Sequence, residues 1–151
     1  MLVFSMLGVA ALALVAGAIS DLRHRILPNW ISGVTALSGA VVALANGHLL
    51  DAATVALALF VIGAAAFRFA VMGGGDVKLI AAMGFWLTPA TLPSFLLIMA
   101  LTGGALGLAM LGYRAVAGPT PSDASGDAPP MTVPYGVAIA VSGLFILFGA
   151  Q

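Results

Sequence analysis

The sequence contains no cysteine, and this absence excludes disulfide bonds, thiol catalysis and a cysteine-ligated zinc site. Its only two histidines, His24 and His48, lie in different connections and lack the spacing of metal ligands. Charged residues make up 7% of the chain, and five basic residues balance five acidic ones. A neutral chain offers no basic patch to nucleic acid. We therefore expect neither a metal cofactor nor a nucleic-acid partner.

Apolar residues dominate instead. They make up 62% of the chain, and the mean hydropathy is +1.19. A soluble domain could not bury that much apolar surface, and several runs approach the roughly 20 residues that a helix needs to cross a bilayer. The sequence therefore predicts an all-α, polytopic membrane helix bundle of about six transmembrane helices in a single domain. The predicted spans are residues 2–20, 30–46, 52–71, 77–88, 91–113 and 133–149.

The first apolar run has two interpretations. Residues 16–18 resemble the cleavage site of a signal peptide, but no basic residue precedes the run, as a signal peptide would require. Arg23 and Arg25 follow it, and this favours a first transmembrane helix with its N-terminus outside. With six spans, all five basic residues fall in connections one, three and five. The positive-inside rule assigns that side to the cytoplasm and both termini to the outside.

The connections differ in character. Pro28 prevents one helix from running through the first two spans, and Asn29 is a candidate cap for the second. Residues 114–132 are rich in proline, serine and aspartate, and we expect a flexible cytoplasmic linker there. Span four is short, so we expect it to be tilted or to cross only in part.

Three consecutive glycines and a carboxylate, Gly73-Gly74-Gly75-Asp76, stand between spans three and four. Each glycine weakens a helix by about 1 kcal/mol relative to alanine, so the run indicates a break that brings backbone or substrate close to the carboxylate. Ionisable residues at membrane spans are costly and rare, which makes Asp76 a functional candidate. The alternative is a short polar turn between two spans.

A second carboxylate, Asp21, directly follows span one, on the same predicted side as Asp76. Two carboxylates about 4 Å apart repel by roughly 4 kcal/mol at an effective dielectric of about 20, or about three pKa units. One would therefore keep its proton while the other stays ionised. This is the working state of an aspartic protease, in which the ionised group activates water and the protonated one supports the scissile carbonyl. The residues alone leave open whether the two groups meet.

Three segments carry a resemblance to one family. Gly73-Gly74-Gly75-Asp76 fits the GxGD signature of intramembrane aspartic proteases. Asp21-Leu22-Arg23-His24-Arg25-Ile26-Leu27-Pro28-Asn29 resembles the first catalytic loop of type IV prepilin leader peptidases, with leucine where isoleucine is more usual before Pro-Asn. Val133-Pro134-Tyr135-Gly136 is similar to the Pro-aromatic-Gly segment near that family's last span, and Lys78 also suits the family.

The resemblance implies cleavage of the short basic leader of pilin or pseudopilin precursors at the cytoplasmic face of the bacterial inner membrane. It assigns Asp21 and Asp76 as the catalytic pair and Gly73 and Gly75 as motif glycines beside the substrate, with no cofactor. Larger members add a cysteine-containing cytoplasmic domain that methylates the new N-terminus. This chain has no cysteine and no room for that domain between its first two spans. It therefore resembles the short, peptidase-only branch that serves Flp-type (tight-adherence) pili.

Two other classes of function compete with the peptidase. A small proton-coupled carrier could use Asp21 and Asp76 as relay sites, but it predicts acids in mid-span and repeat symmetry, and neither is visible in the sequence. A catalytically silent scaffold would leave the glycine run unexplained. Arg23, Arg25 and Lys78 either help to orient the acid pair or only set the topology, and Tyr135 either lines the cleft or packs at the interface. The sequence does not indicate an oligomeric state.

Overall fold

The chain folds into a bundle of helices. The structure, a computed structural model, describes residues 1–117 and 133–149, and this part of the chain contains no β-strand. The predicted all-α class is confirmed. The helices are α1 (Leu2–His24), α2 (Asn29–Ala45), α3 (Leu49–Arg68), α4 (Gly74–Met83), α5 (Leu92–Ala117) and α6 (Tyr135–Gly149), and a short 3-10 helix (Gly84–Trp86) prolongs α4.

The helices differ in their capacity to cross a bilayer. α1, α3 and α5 are each long and apolar enough to span a membrane, whereas α2 and α6 are shorter apolar helices. α4 has only 10 residues, in agreement with the short fourth span expected from the sequence. These properties fit a helical membrane bundle. The number of complete crossings and the outward placement of both termini stay predictions.

Several predicted features differ from the structure. α1 continues through His24, so Asp21 lies on the helix and not in the connection after it. α5 continues through Ala117, so residues 114–117 of the predicted linker are helical, and the rest of that linker lies outside the described residues. Asn29 does not cap α2, because Pro28 occupies the N-cap and the Asn29 amide oxygen accepts a hydrogen bond from the Lys78 amine at 2.9 Å.

The short helix α4 lies at the centre of the bundle. It packs on α3, α2 and α6, while α1 packs on α2 and α6, and α5 lies outside against α6. Leu14, Met83 and Ile139 are fully buried where α1, α4 and α6 meet. The outer side of α5 carries exposed leucines at positions 97, 101, 108 and 111, as expected of a helix surrounded by lipid.

Close backbone contacts fix α4 in place. At Gly84, a Cβ would lie 2.7 Å from the backbone nitrogen of Ala56, so the end of α4 touches the backbone of α3. The indole N–H of Trp86 donates to the Thr35 carbonyl of α2 at 2.9 Å. Small residues and hydrogen bonds are the usual means of holding helices together in lipid. They set the position of α4 and therefore of Asp76 in its first turn.

Candidate active site

Asp21 lies in the last turn of α1, and only 7% of its surface is exposed. Arg25 caps the C-terminus of α1 with a left-handed backbone (φ 55°), and its N–H donates to the Asp21 carbonyl at 3.0 Å. The Ser20 hydroxyl donates to the Ile26 carbonyl at 2.7 Å. These bonds turn the connection back over the end of α1. Arg25 and Ile26 consequently line the same cavity as the Asp21 carboxylate.

Asp76 lies in the first turn of α4 and is half-buried. Gly73 is the N-cap of α4, and its N–H donates to the Asp76 carboxylate, which is the backward hydrogen bond of a capping box. A Cβ at position 73 would lie 2.9 Å from Asp76 Oδ2, so the carboxylate packs against bare backbone. Gly74 and Gly75 are already helical. The break between α3 and α4 therefore ends at the first glycine and does not extend over all three.

Both aspartates line one cavity of about 290 Å³. The close approach of α4 to the α1–α2 connection creates it, because a Cβ at Gly75 would lie 2.9 Å from the Cβ of Leu27. The predicted site residues thus lie together, although Asp21 and Asp76 come from different helices. The lining residues are Asp21, Arg25, Ile26, Leu27, Gly73, Gly74, Gly75 and Asp76.

The first turn of α6 supplies the hydrogen bonds of Asp21. The Gly136 N–H donates to Asp21 Oδ2 at 2.8 Å, and the backbone of Val137 also bonds to this carboxylate. A Cβ at position 136 would lie 2.9 Å from the same oxygen. The sequence contained a signal for this contact in Val133-Pro134-Tyr135-Gly136, but it did not show which group the segment meets.

Burial raises the pKa of Asp76 to about 6, and the negative charge of Asp21 acts in the same direction. The Gly73 N–H opposes both effects by stabilising the carboxylate, but it does not outweigh them. Asp76 precedes the predicted span that begins at residue 77. A pKa near 6 keeps a proton available on this group at a pH where an ordinary aspartic acid has lost it.

The raised pKa has a consequence for stability. Between about pH 4 and pH 6 the unfolded chain loses the Asp76 proton while the folded protein keeps it, so stability falls as pH rises through this window. Above that window, Asp76→Asn is expected to raise the free energy of unfolding, by up to about 3 kcal/mol at pH 8 and by little at pH 4. Thermal unfolding in detergent at both values measures this. An equal gain in stability at the two pH values would contradict this expectation. Asp51→Asn, at an exposed site, is the control.

The other candidate residues, Arg25, Lys78 and Tyr135, lie in different parts of the bundle. Arg25 lines the cavity, and its positive charge acts on Asp21. Lys78 binds Asn29 at 2.9 Å and so ties α4 to the start of α2. Tyr135 packs near α5, because a Cβ at Gly103 would lie 3.3 Å from its ring. Among the described residues, no group of three or more His, Cys, Asp or Glu side chains could hold a metal ion.

Comparison with known proteins shows which family the chain belongs to. The sequence profile of the type IV leader peptidase family matches residues 8–108, which include both aspartates, the glycine run, most of α1 and all of α2 to α4. The chain belongs to the type IV leader peptidase family. The family resemblance inferred from the sequence is thereby confirmed.

Two curated relatives are similar to this chain over most of its length. A prepilin leader peptidase/N-methyltransferase of Legionella pneumophila is 31% identical over 138 residues, covering 85% of this chain and 44% of the relative. A protein of the same name from Myxococcus xanthus (strain DK1622) is 33% identical over 137 residues, covering 81% of this chain and 40% of the relative. The chain thus spans less than half the length of these relatives. No solved structure matches it.

Proposed function

We propose that this family member is a membrane aspartic endopeptidase that removes the basic leader of type IV prepilins, with Asp21 and Asp76 as its catalytic pair. One observation carries the proposal: two carboxylates from separate helices line the same small cavity, beside an N-cap glycine without a side chain. The names of the curated relatives supply the substrate class. The positive-inside rule supports a site at the cytoplasmic face of the inner membrane.

The chemistry follows from a pair that shares one proton. The ionised carboxylate draws a proton from a water molecule held between the two groups, and the water attacks the scissile carbonyl. The protonated carboxyl donates to the carbonyl oxygen and supports its developing charge. A bound substrate that covers the cavity excludes water and disfavours a second negative charge. Substrate therefore helps the pair to retain its single proton at a pH above the Asp76 value of about 6.

The glycines provide access for an extended peptide. Gly73 lies beside the Asp76 carboxylate and is exposed, and Gly75 lies against Leu27. A substrate backbone can approach Asp76 across position 73, where any side chain would meet the carboxylate. We assign Gly73 to substrate passage and Gly75 to the close packing that closes the cavity.

The proposed class of pilin precursor follows from the connection between α1 and α2. It consists of residues 25–28, and the sequence has no cysteine, so the paired-cysteine domain of larger members has no place there. This favours Flp-type pilin precursors. The matched stretches of the two relatives cover less than half of proteins that are also named for N-methyl transfer, and we assign no methyl transfer to this chain.

Mass spectrometry of pilins tests the proposal directly. Candidate Flp-type and other type IV prepilins are co-expressed with the intact chain, and membranes with and without it are compared. We expect a precursor that loses its basic leader only when the chain is present, and an unmethylated new N-terminus. Absence of cleavage for every precursor, together with proton-linked uptake in proteoliposomes, would replace the peptidase by a carrier.

A further inference from the structure

The two aspartates of the site have unequal surroundings. Asp21 is only 7% exposed, which disfavours its charged form, and it receives backbone hydrogen bonds from Gly136 and Val137 at the start of α6, which favour that form. Asp76 is half-buried and receives one backbone hydrogen bond, from Gly73, the N-cap residue of α4. Backbone N–H groups can only donate, so they stabilise a carboxylate and not a protonated carboxyl oxygen that must itself donate.

Charges add to the same asymmetry. The Arg25 guanidinium favours the charged form of Asp21 from the end of α1, whereas the repulsion between the two carboxylates is mutual and does not distinguish them. The N-terminus of α6 faces Asp21 and the N-terminus of α4 carries Asp76, so these two helix dipoles favour both ions, whereas the C-terminal end of α1, on which Asp21 lies, acts against its charge. The number of N–H donors and the charge of Arg25 favour Asp21 as the ion, against its deeper burial and the terminus of α1.

The other titratable groups near the pair do not reverse this balance. α2 carries no titratable side chain, and Tyr135 is the only titratable residue within the described part of α6. On α4, the Lys78 amine donates a hydrogen bond to Asn29. The remaining ones on α1 and α3, namely Arg23, His24, Asp51 and Arg68, are exposed.

We propose that the first turn of α6 is a positioning element that divides the catalytic roles: the amides of Gly136 and Val137 keep Asp21 as the ionised base, and the shared proton resides on Asp76. This assignment rests on the proposed function and deepens it. Asp21 takes the proton from water as the water oxygen bonds to the scissile carbon. Asp76 gives its proton to the carbonyl oxygen, so the pair ends with one proton, now on Asp21.

The position of Gly136 follows from this role. A Cβ there would lie 2.9 Å from Asp21 Oδ2 and 3.0 Å from its Cβ and Cγ, so any larger residue separates the amide from the carboxylate. Only a residue without a side chain lets the helix terminus come within the 2.8 Å of the observed hydrogen bond. Gly136 is thus a positioning residue that acts through Asp21.

The first test is the pH profile of Gly136→Ala. With its amide bonds weakened, Asp21 is protonated more readily, which gives the pair a second proton, and the acid limb of kcat/KM moves up by about one pH unit. The basic limb of the kcat/KM profile reflects the loss of the Asp76 proton, so we expect its position on the pH axis not to change. We also expect cleavage of a prepilin reporter at the optimum to fall about tenfold or more.

Gly143→Ala is the matched control on the same helix. Its Cβ would lie 2.8 Å from Leu14 Cδ1 and 3.2 Å from Met83 Sδ, away from Asp21. It perturbs the packing of α6 and is expected to lower activity without moving either limb. Equal movement of the acid limb in both variants, or none in Gly136→Ala, would overturn the assignment.

Infrared spectroscopy tests the same assignment in a protein with native α6. The five acidic side chains include no glutamate, so few carboxyl bands overlap. At about pH 5, the protonated-carboxyl band is expected to be weaker in Asp76→Asn than in Asp21→Asn, where burial still holds a proton on Asp76 after the repulsion by Asp21 is removed. The reverse pattern overturns the assignment. Normal cleavage by both asparagine variants would instead refute the proposed function itself.

Discussion

Replacing either Asp21 or Asp76 by asparagine is expected to abolish prepilin cleavage, with a loss of about 10³-fold or more in kcat/KM. Asparagine keeps the size of the side chain but can neither take a proton from water nor release one to a carbonyl oxygen. Positioned acid–base groups contribute about 10²–10⁴-fold each. Because the two carboxyls share one proton and work as a unit, the double variant should be hardly worse than either single one.

The measurement is the fraction of processed reporter in membranes that contain equal amounts of each variant. Asp51→Asn is the matched control, because Asp51 is an exposed aspartate in the first turn of α3 and does not line the cavity. It should cleave at the wild-type rate. Normal processing by the Asp21 or the Asp76 variant would remove that residue from the mechanism, whatever the geometry of the cavity.

Gly84→Ala is expected to cost more stability than any other glycine-to-alanine change discussed here. The added Cβ would collide with the Cα of Ala56 and lie 2.7 Å from its backbone nitrogen. A flexible side chain could rotate away, but a helix backbone cannot, so α3 and α4 must separate. Overpacking costs about 1–3 kcal/mol and more when the structure cannot yield. Thermal unfolding in detergent should show a fall at the upper end of that range, and cleavage should fall with it because α4 carries Asp76.

A second change distinguishes backbone contact from side-chain crowding. Ala56→Gly removes the Cβ of Ala56 but leaves its Cα and nitrogen in place, so it should not rescue Gly84→Ala. Gly104→Ala serves as control, since nothing lies within 4 Å of the Cβ that it adds to α5. Wild-type stability of Gly84→Ala, or full rescue by Ala56→Gly, would contradict the close packing of α3 on the end of α4.

The sequence predicted the helical class and the short fourth element, and it singled out the two aspartates and the glycines that line the cavity, because each has a local signal. Long apolar runs specify membrane helices without reference to their neighbours. The glycine run before Asp76 marks a chain break by its low helix propensity. Boundaries were less accurate: α1 and α5 continue past the predicted ends, since Asp21, Arg23 and Arg114 do not themselves end a helix.

The interpretation of single residues depended on contacts that no local pattern encodes. Asn29 has the side chain of a helix cap, yet it binds Lys78, which is 49 positions away. Gly136 was visible only as part of a family segment, and its role comes from a hydrogen bond to Asp21 across 115 positions. Such pairings depend on which helices pack together.

By itself the sequence determined that this protein is a helical membrane protein with two candidate acids and a glycine break, because composition and propensity act over neighbouring residues. The tertiary structure alone decided that the two carboxylates line one cavity and that their surroundings are unequal. The physical reason is packing. The distance from Asp21 to Asp76, and from Asp21 to the amides of α6, is set by how closely bare backbone at Gly75, Gly84 and Gly136 lets the helices approach.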